Sequence, residues 1–215
     1  LLPLLLFSCD LGDPVQTYTV STLDVRGLLF VSEVHWAGTV DNSGSVSNPD
    51  DDYIELYNSH DAPLLIGGWS LIISGAVNMV VVIPAGAVLE NGSCYTIGRT
   101  TNGAFTSFNC VCPDLILPNS TFSISVADGA GKVSDSLLLT AAPVLPAGKN
   151  LPGLRASAVR LLDGYGVGLL GTQPESWTTY LTNEVSWSVA QAGIRTSYRD
   201  AVQASPGVMD YRSGW

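Results

Sequence analysis

The chain has 215 residues, enough for one large β domain or two small ones with a sizeable core. Its residues are 46% hydrophobic and only 13% charged, with 22 Gly and 12 Pro, which excludes a disordered chain and a helical bundle. Nine Lys and Arg against nineteen Asp and Glu leave a formal charge of −10. Such a charge argues against nucleic-acid binding, and any membrane attachment must come from something other than charge.

Residues 1–7 (LLPLLLF) are apolar, far short of a spanning helix. With no initiator Met before them, they read as the tail of a signal-peptide hydrophobic region. The order Leu6-Phe7-Ser8-Cys9 resembles a bacterial lipobox, whose Cys is acylated and becomes the mature N-terminus. Phe7 departs from that pattern, which has a small or branched residue there. The polar, turn-forming Asp10-Leu11-Gly12-Asp13-Pro14 follows at once, as a tether should. The expectation is a signal-peptide remnant over 1–9, a tether over 10–26 and one folded domain over 27–212. Lipidation at Cys9 would hold the protein outside the cytoplasm on a bacterial membrane, periplasmic or at the cell surface. The plainer alternative is an ordinary signal peptide or a buried strand with an incidental Cys.

Residues 27–36 (GLLFVSEVHW) form the first strong strand, with Leu29 and Val31 on one face and Phe30, Ser32 and Val34 on the other. An exposed loop over 39–52 leads to Tyr53-Ile54-Glu55-Leu56-Tyr57. Its alternation sends Ile54 and Leu56 to the core and Glu55 the other way. Asn58 turns the chain, residues 62–66 form a short strand, Gly67-Gly68 a bend, and residues 69–73 the next strand. Residues 79–83 read as a fully buried strand stopped by Pro84. Asn91-Gly92 is a tight turn before a strand over 93–98, and 100–112 is a long loop. Strands follow over 115–117 and 121–126, then a glycine-rich turn and a returning strand over 133–140. Residues 141–153 read as a linker or crossover, with strands over 156–162 and 177–181 and a short helix over 185–192. Regularly spaced strands with almost no helical periodicity predict an all-β fold, an antiparallel β-sandwich.

With Cys9 lipidated, Cys94, Cys110 and Cys112 remain, enough for one disulfide and one free thiol. Cys94 with Cys110 or Cys112 is preferred over Cys110 with Cys112, whose single intervening residue strains the ring. A zinc site lacks a convincing fourth ligand, because His35 and His60 lie far away in sequence.

Several phrases fall into a recognisable order: Val31-Ser32-Glu33-Val34, Tyr53-Ile54-Glu55-Leu56-Tyr57-Asn58, Gly68-Trp69-Ser70-Leu71 and Ile83-Pro84-Ala85-Gly86. Ser157-Ala158-Val159-Arg160, Trp177 and Ser205-Pro206-Gly207 complete it. Over roughly 27–210 the chain resembles the lamin tail domain in its bacterial lipoprotein form. It departs in reading Ile66-Gly67-Gly68-Trp69 for Leu-Ser-Gly-Trp, and in lacking Ala-Pro-Asn after the closing Pro-Gly. The resemblance implies an immunoglobulin-like sandwich with no general catalytic residue and a binding or tethering role. Bacterial relatives often pair such a domain with a hydrolase domain. Ile54, Glu55, Leu56, Asn58 and Trp69 are its structural signature, Asn58 closing its strand by an Asx turn.

Asp41, Asp50, Asp51 and Asp52 are the candidate metal ligands, since acidic loops at a sandwich end can supply the oxygens that calcium wants. No DxDxDG spacing accompanies them, and a solvated acidic loop is the plainer reading. Glu33 and Glu55 would be a carboxylate pair if their strands are neighbours; otherwise they are solvent-face or turn-bonding residues. His60 reads as an exposed turn residue, and no G-x-S-x-G accompanies the histidines. Residues 164–168 are glycine-rich without the context of a phosphate loop. Arg195, Arg199 and Arg212 with Tyr198 and Tyr211 form a possible contact patch or a scattered surface. The sequence points to a non-enzymatic, lipid-anchored interaction module with a protein or glycan partner. The alternative is a calcium-stiffened surface or adhesion protein.

Overall fold

The computed structural model describes residues 28–139, 147–180 and 191–209. Cys9, the tether, Tyr211 and Arg212 lie outside them, as does the expected helix up to residue 190. Its described end, Gln191–Gly193, is a single 3₁₀ turn.

The strands in chain order begin with β1 (Leu29–His35), β2 (Thr39–Val40), β3 (Ser47–Asn48), β4 (Tyr53–Asn58), β5 (Leu64–Leu65) and β6 (Ser70–Gly75). There follow β7 (Met79–Val82), β8 (Val88–Leu89), β9 (Cys94–Gly98), β10 (Cys110–Val111), β11 (Phe122–Ala127) and β12 (Val133–Leu139). The last are β13 (Lys149–Leu151), β14 (Leu154–Ala156), β15 (Ala158–Arg160), β16 (Trp177–Thr179) and β17 (Val202–Gln203). A six-stranded sheet, β10-β9-β4-β1-β15-β16, packs on a four-stranded one, β12-β11-β6-β7. Apart from the β9/β10 pair, every pairing in these two sheets is antiparallel. Leu29, Val31, Val34, Ile54 and Leu56 of the first sheet meet Leu71, Ile73, Val81, Ile124 and Leu137 of the second. Each such side chain contributes about 1.5–3 kcal/mol of burial. The antiparallel β-sandwich expected from the sequence is the observed architecture.

The six-stranded sheet is covered on its outer face as well, which is why every residue of β1 and β4 is buried. Tyr53 packs there with Phe105, Ile194 and Val202, and Phe30 with Tyr57, Leu162 and Met209.

Three details differ from the sequence reading. A β-bulge between Val31 and Glu33 inserts Ser32, so Val34 returns to the core beside Leu29 and Val31, not to the face of Phe30. The run over 79–83 is not buried on both faces: β7 is an edge strand, with Val80 and Val82 each 58% exposed. Leu115 and Leu117 are buried but belong to no strand.

The expected loop over 100–112 and linker over 141–153 each contain a short strand, β10 and β13, residues 141–146 lying outside the described ones, and the strand expected over 156–162 is divided between β14 and β15. Two further local expectations hold. Asn58 Oδ1 accepts the His60 amide at 2.9 Å in an Asx turn, while its Nδ2 donates to the Ala62 and Leu89 carbonyls. Trp69 lies in the core at the bend, where Gly68 takes φ +83° and Gly67 presses on Gly86.

Candidate functional site

The β1/β4 register sets Glu33 directly opposite Glu55 on the outer face. The two are neighbours, as a carboxylate pair requires. They do not face solvent, because the segment around Ser205-Pro206-Gly207 lies over them and each is 1% exposed. Glu33 Oε1 accepts the Tyr53 hydroxyl at 2.6 Å and the Ser205 amide at 3.0 Å, and Oε2 accepts the Ser205 hydroxyl at 2.5 Å. Glu55 Oε2 accepts the Gly207 amide at 2.7 Å, and its Oε1 lies 2.7 Å from the Ser32 hydroxyl. Three phrases far apart in the chain therefore meet as one clamp: two carboxylates seat a turn more than 150 residues away.

Burial makes both ionised forms costly. It raises Glu33 above its ordinary range, opposed by the hydrogen bonds from Ser205 and Tyr53, and lifts Glu55 to about 8, helped by the charge of Glu33. Glu33, with the richer set of donors, is the carboxylate that keeps the charge; Glu55 keeps the proton. A protonated Glu55 donates to Ser32, whose own hydrogen then reaches the Glu55 carbonyl at 3.3 Å. Burial and the same carboxylates push the Cys94 thiol and the Tyr53 phenol well up.

The network continues to His35, fully buried and stacked on Tyr53. Its Nδ1 lies 2.9 Å from the Ser157 hydroxyl and its Nε2 2.8 Å from the Gly38 carbonyl. The carbonyl can only accept, so Nε2 carries the hydrogen and Nδ1 accepts from Ser157. Burial holds the imidazole down at about 4. Ser, His and Glu thus converge on paper, yet each is buried to 1% or less and spent on a neighbour, so the arrangement fastens layers together.

The four aspartates serve separate tasks. Asp41 is half-buried and accepts the Ser45 and Val46 amides of its own loop. Asp50 pairs with Arg99 at 2.6 Å. Asp51 is buried and accepts from Thr39 and from the Ala104 amide, with Gly103 so close that any side chain there would strike its carboxylate. Asp52 accepts the Gly38 and Leu117 amides, and burial lifts it to about 8. Among the described residues no three His, Cys, Asp or Glu side chains gather where they could hold a metal ion.

The thiols of Cys94, Cys110 and Cys112 are free. The expected bridge from Cys94 is not made, for a topological reason. Cys110 pairs with Ile97, three residues along β9 from Cys94 and so about 10 Å away. Cys94 packs with the outer cluster, whereas Cys110 and Cys112 pack against the main core. A disulfide spans less than about 7 Å between Cα atoms.

The arginines also differ from a free patch. Arg195 donates to the carbonyls of Thr101, Gly103 and Phe105, and Arg199 to that of Ile194. The Tyr198 hydroxyl accepts from Asn48. Arg195 fixes the loop over 101–105, and the stretch from Arg99 to Gly103 walls a cleft of about 530 Å³ against residues 48–51, at the Tyr53/Gly98 end of the sheet. The cleft presents the Asp50–Arg99 pair, Asn48, Thr100, Thr101 and Asn102. Asp50 was legible as a candidate; Arg99 and Asn102 were missed, since nothing in the sequence brings 99–103 beside 48–51.

His60 is a turn residue as expected, but not an exposed one: it accepts the Ala62 amide and its side chain is only 22% exposed. Asp163 binds the amides of Tyr165 and Val167 in the glycine-rich loop, leaving Tyr165 94% exposed. No protein-family model matches the chain, and no curated protein matches it.

Proposed function

We propose that this protein is a lipid-anchored, extracytoplasmic interaction module of the lamin-tail type, immunoglobulin-like in its sandwich, which binds a protein or glycan partner without catalysing a reaction. The observation that carries the reading is a division of labour among polar residues. Glu33, Glu55, His35 and Ser157 are buried and consumed in fastening the fold, while Asn48, Asp50, Arg99, Thr100, Thr101 and Asn102 leave polar groups exposed or half-exposed along the cleft between 48–51 and 99–103. Its ion pair, amides and hydroxyls suit a polar surface or a hydroxyl-rich chain, for which hydrogen bonds set orientation. Acylation at Cys9 would supply the anchor.

The binding claim is tested by a photo-reactive residue placed at exposed Asn102 of the membrane-resident protein, with the same residue at exposed Asp61 as control. Cross-links to one protein or glycan at position 102 that fade with Arg99→Ala are expected. The Arg99–Asp50 pair is partly exposed, and losing it costs on the order of 1 kcal/mol of stability, so the fold survives. Equal labelling at both positions, or none at 102, would overturn the reading. The anchor is tested by intact mass and detergent partitioning beside Cys9→Ala: a lipid-sized mass and detergent partitioning, both lost in the variant, are expected.

A further inference from the structure

Strands β5 to β8 form one long, bent hairpin. Ile73 pairs with Met79 at its tip, Ser70 with Val82, and Leu64 with Leu89 beyond the Gly67-Gly68 bend. Its return arm is the edge of the four-stranded sheet, and no described strand pairs on the far side of β7. An open edge is a template for another strand, and proteins blunt it with Lys, Pro, bulges or covering loops. Met79–Val82 contains no Lys, Pro or bulge, and the Ile116 amide meets only its first side chain, the Met79 sulfur, at 3.5 Å. Its outward side chains are Val80 and Val82, flanked by Ile72, Val88 and Leu65 at 37–51% exposure. Between Asp61 and Glu90 the chain carries no charged residue. The outward positions of the neighbouring strands, Ser74, Ser123, Ser125, Ser136 and Leu138, are uncharged too.

We infer that this arm pairs with the same arm of a second copy, β7 against β7 and antiparallel, joining two sheets into one. The bare peptide groups of the edge can exchange water for the amides and carbonyls of another strand, which a bilayer interior cannot supply. A twofold axis through Val81 keeps the pleat in phase: it sets Val80 of each copy opposite Val82 of the other, apolar against apolar. Two molecules of formal charge −10 repel each other least along their uncharged stripe.

The test is sedimentation velocity of the full-length Cys9→Ala chain over a wide concentration range, so that no acyl group drives association. A reversible dimer is expected, with an affinity at least about tenfold weaker in Val80→Lys/Val82→Lys, which faces ammonium groups across the axis. Val133→Lys, on the opposite edge strand and also exposed, should leave the dimer unchanged. Unchanged thermal melting of the variants checks the fold. A monomer throughout, a dimer indifferent to the paired lysines, or a monomer that instead floats with neutral phosphatidylcholine vesicles would each overturn the inference. None of these outcomes depends on the cleft or the anchor.

Discussion

Replacing Glu55 by Gln should remove the share of the fold's pH dependence that Glu55 carries, leaving that of Asp52 and Glu33. Glu55 titrates near 8 in the folded chain, against 4.5 for an ordinary glutamate. Between those two values the folded state holds a proton that the unfolded state has released, so stability falls as pH rises and levels off above the folded value. At about 1.4 kcal/mol per pH unit, the loss assigned to this residue is on the order of 5 kcal/mol. Its origin is burial first and the Glu33 charge second. Glutamine imitates the protonated acid: its carbonyl can accept the Gly207 amide and its NH₂ can donate to Ser32. In urea unfolding at about pH 5 the variant should lie within about 1 kcal/mol of the parent; at about pH 8 it should be more stable by several kcal/mol. Identical pH slopes for parent and variant would refute the protonated clamp. So would a large loss in the variant at low pH.

Three further outcomes follow from the packing. Asp135→Ala leaves the Arg160 guanidinium, 1% exposed, without the carboxylate 2.7 Å away, and should cost on the order of 3–5 kcal/mol in thermal unfolding. A loss below about 1 kcal/mol would contradict the buried pair. Gly67→Ala puts a Cβ 2.6 Å from the Gly86 amide nitrogen and should lower the urea midpoint clearly, whereas Gly129→Ala, with open space around it, should not. A non-reducing peptide map should show no bond from Cys94 to Cys110 or Cys112, and Cys94 should react with thiol reagents only on unfolding.

The sandwich was legible because alternation in Tyr53–Asn58 and turn residues such as Asn58 report local geometry directly. What escaped depends on pairing. One inserted residue, Ser32, reverses the faces of the rest of β1, and alternation alone cannot announce a bulge. An unbroken valine run looks alike in a central strand and at an edge, so the exposure of Val80 and Val82 becomes visible only from the strand order. Glu33 and Glu55 alternate as surface residues should. Their burial is imposed by a C-terminal turn that no local pattern near them encodes. For the same reason the acidic run over 50–52 read as one site: Asp50 faces the cleft, whereas Asp51 and Asp52 turn inward to backbone amides brought from residues 38, 104 and 117.

Whether the acidic phrases serve the fold, leaving recognition to the cleft, is read most directly from native-state hydrogen exchange at the Ser205 and Gly207 amides. Bonded to buried carboxylates, they should exchange as slowly as the amides of β4, and Glu33→Ala should release Ser205. Exchange of both at the rate of an exposed turn in the parent chain would contradict the clamp, and Glu33 and Glu55 would again be candidates for chemistry.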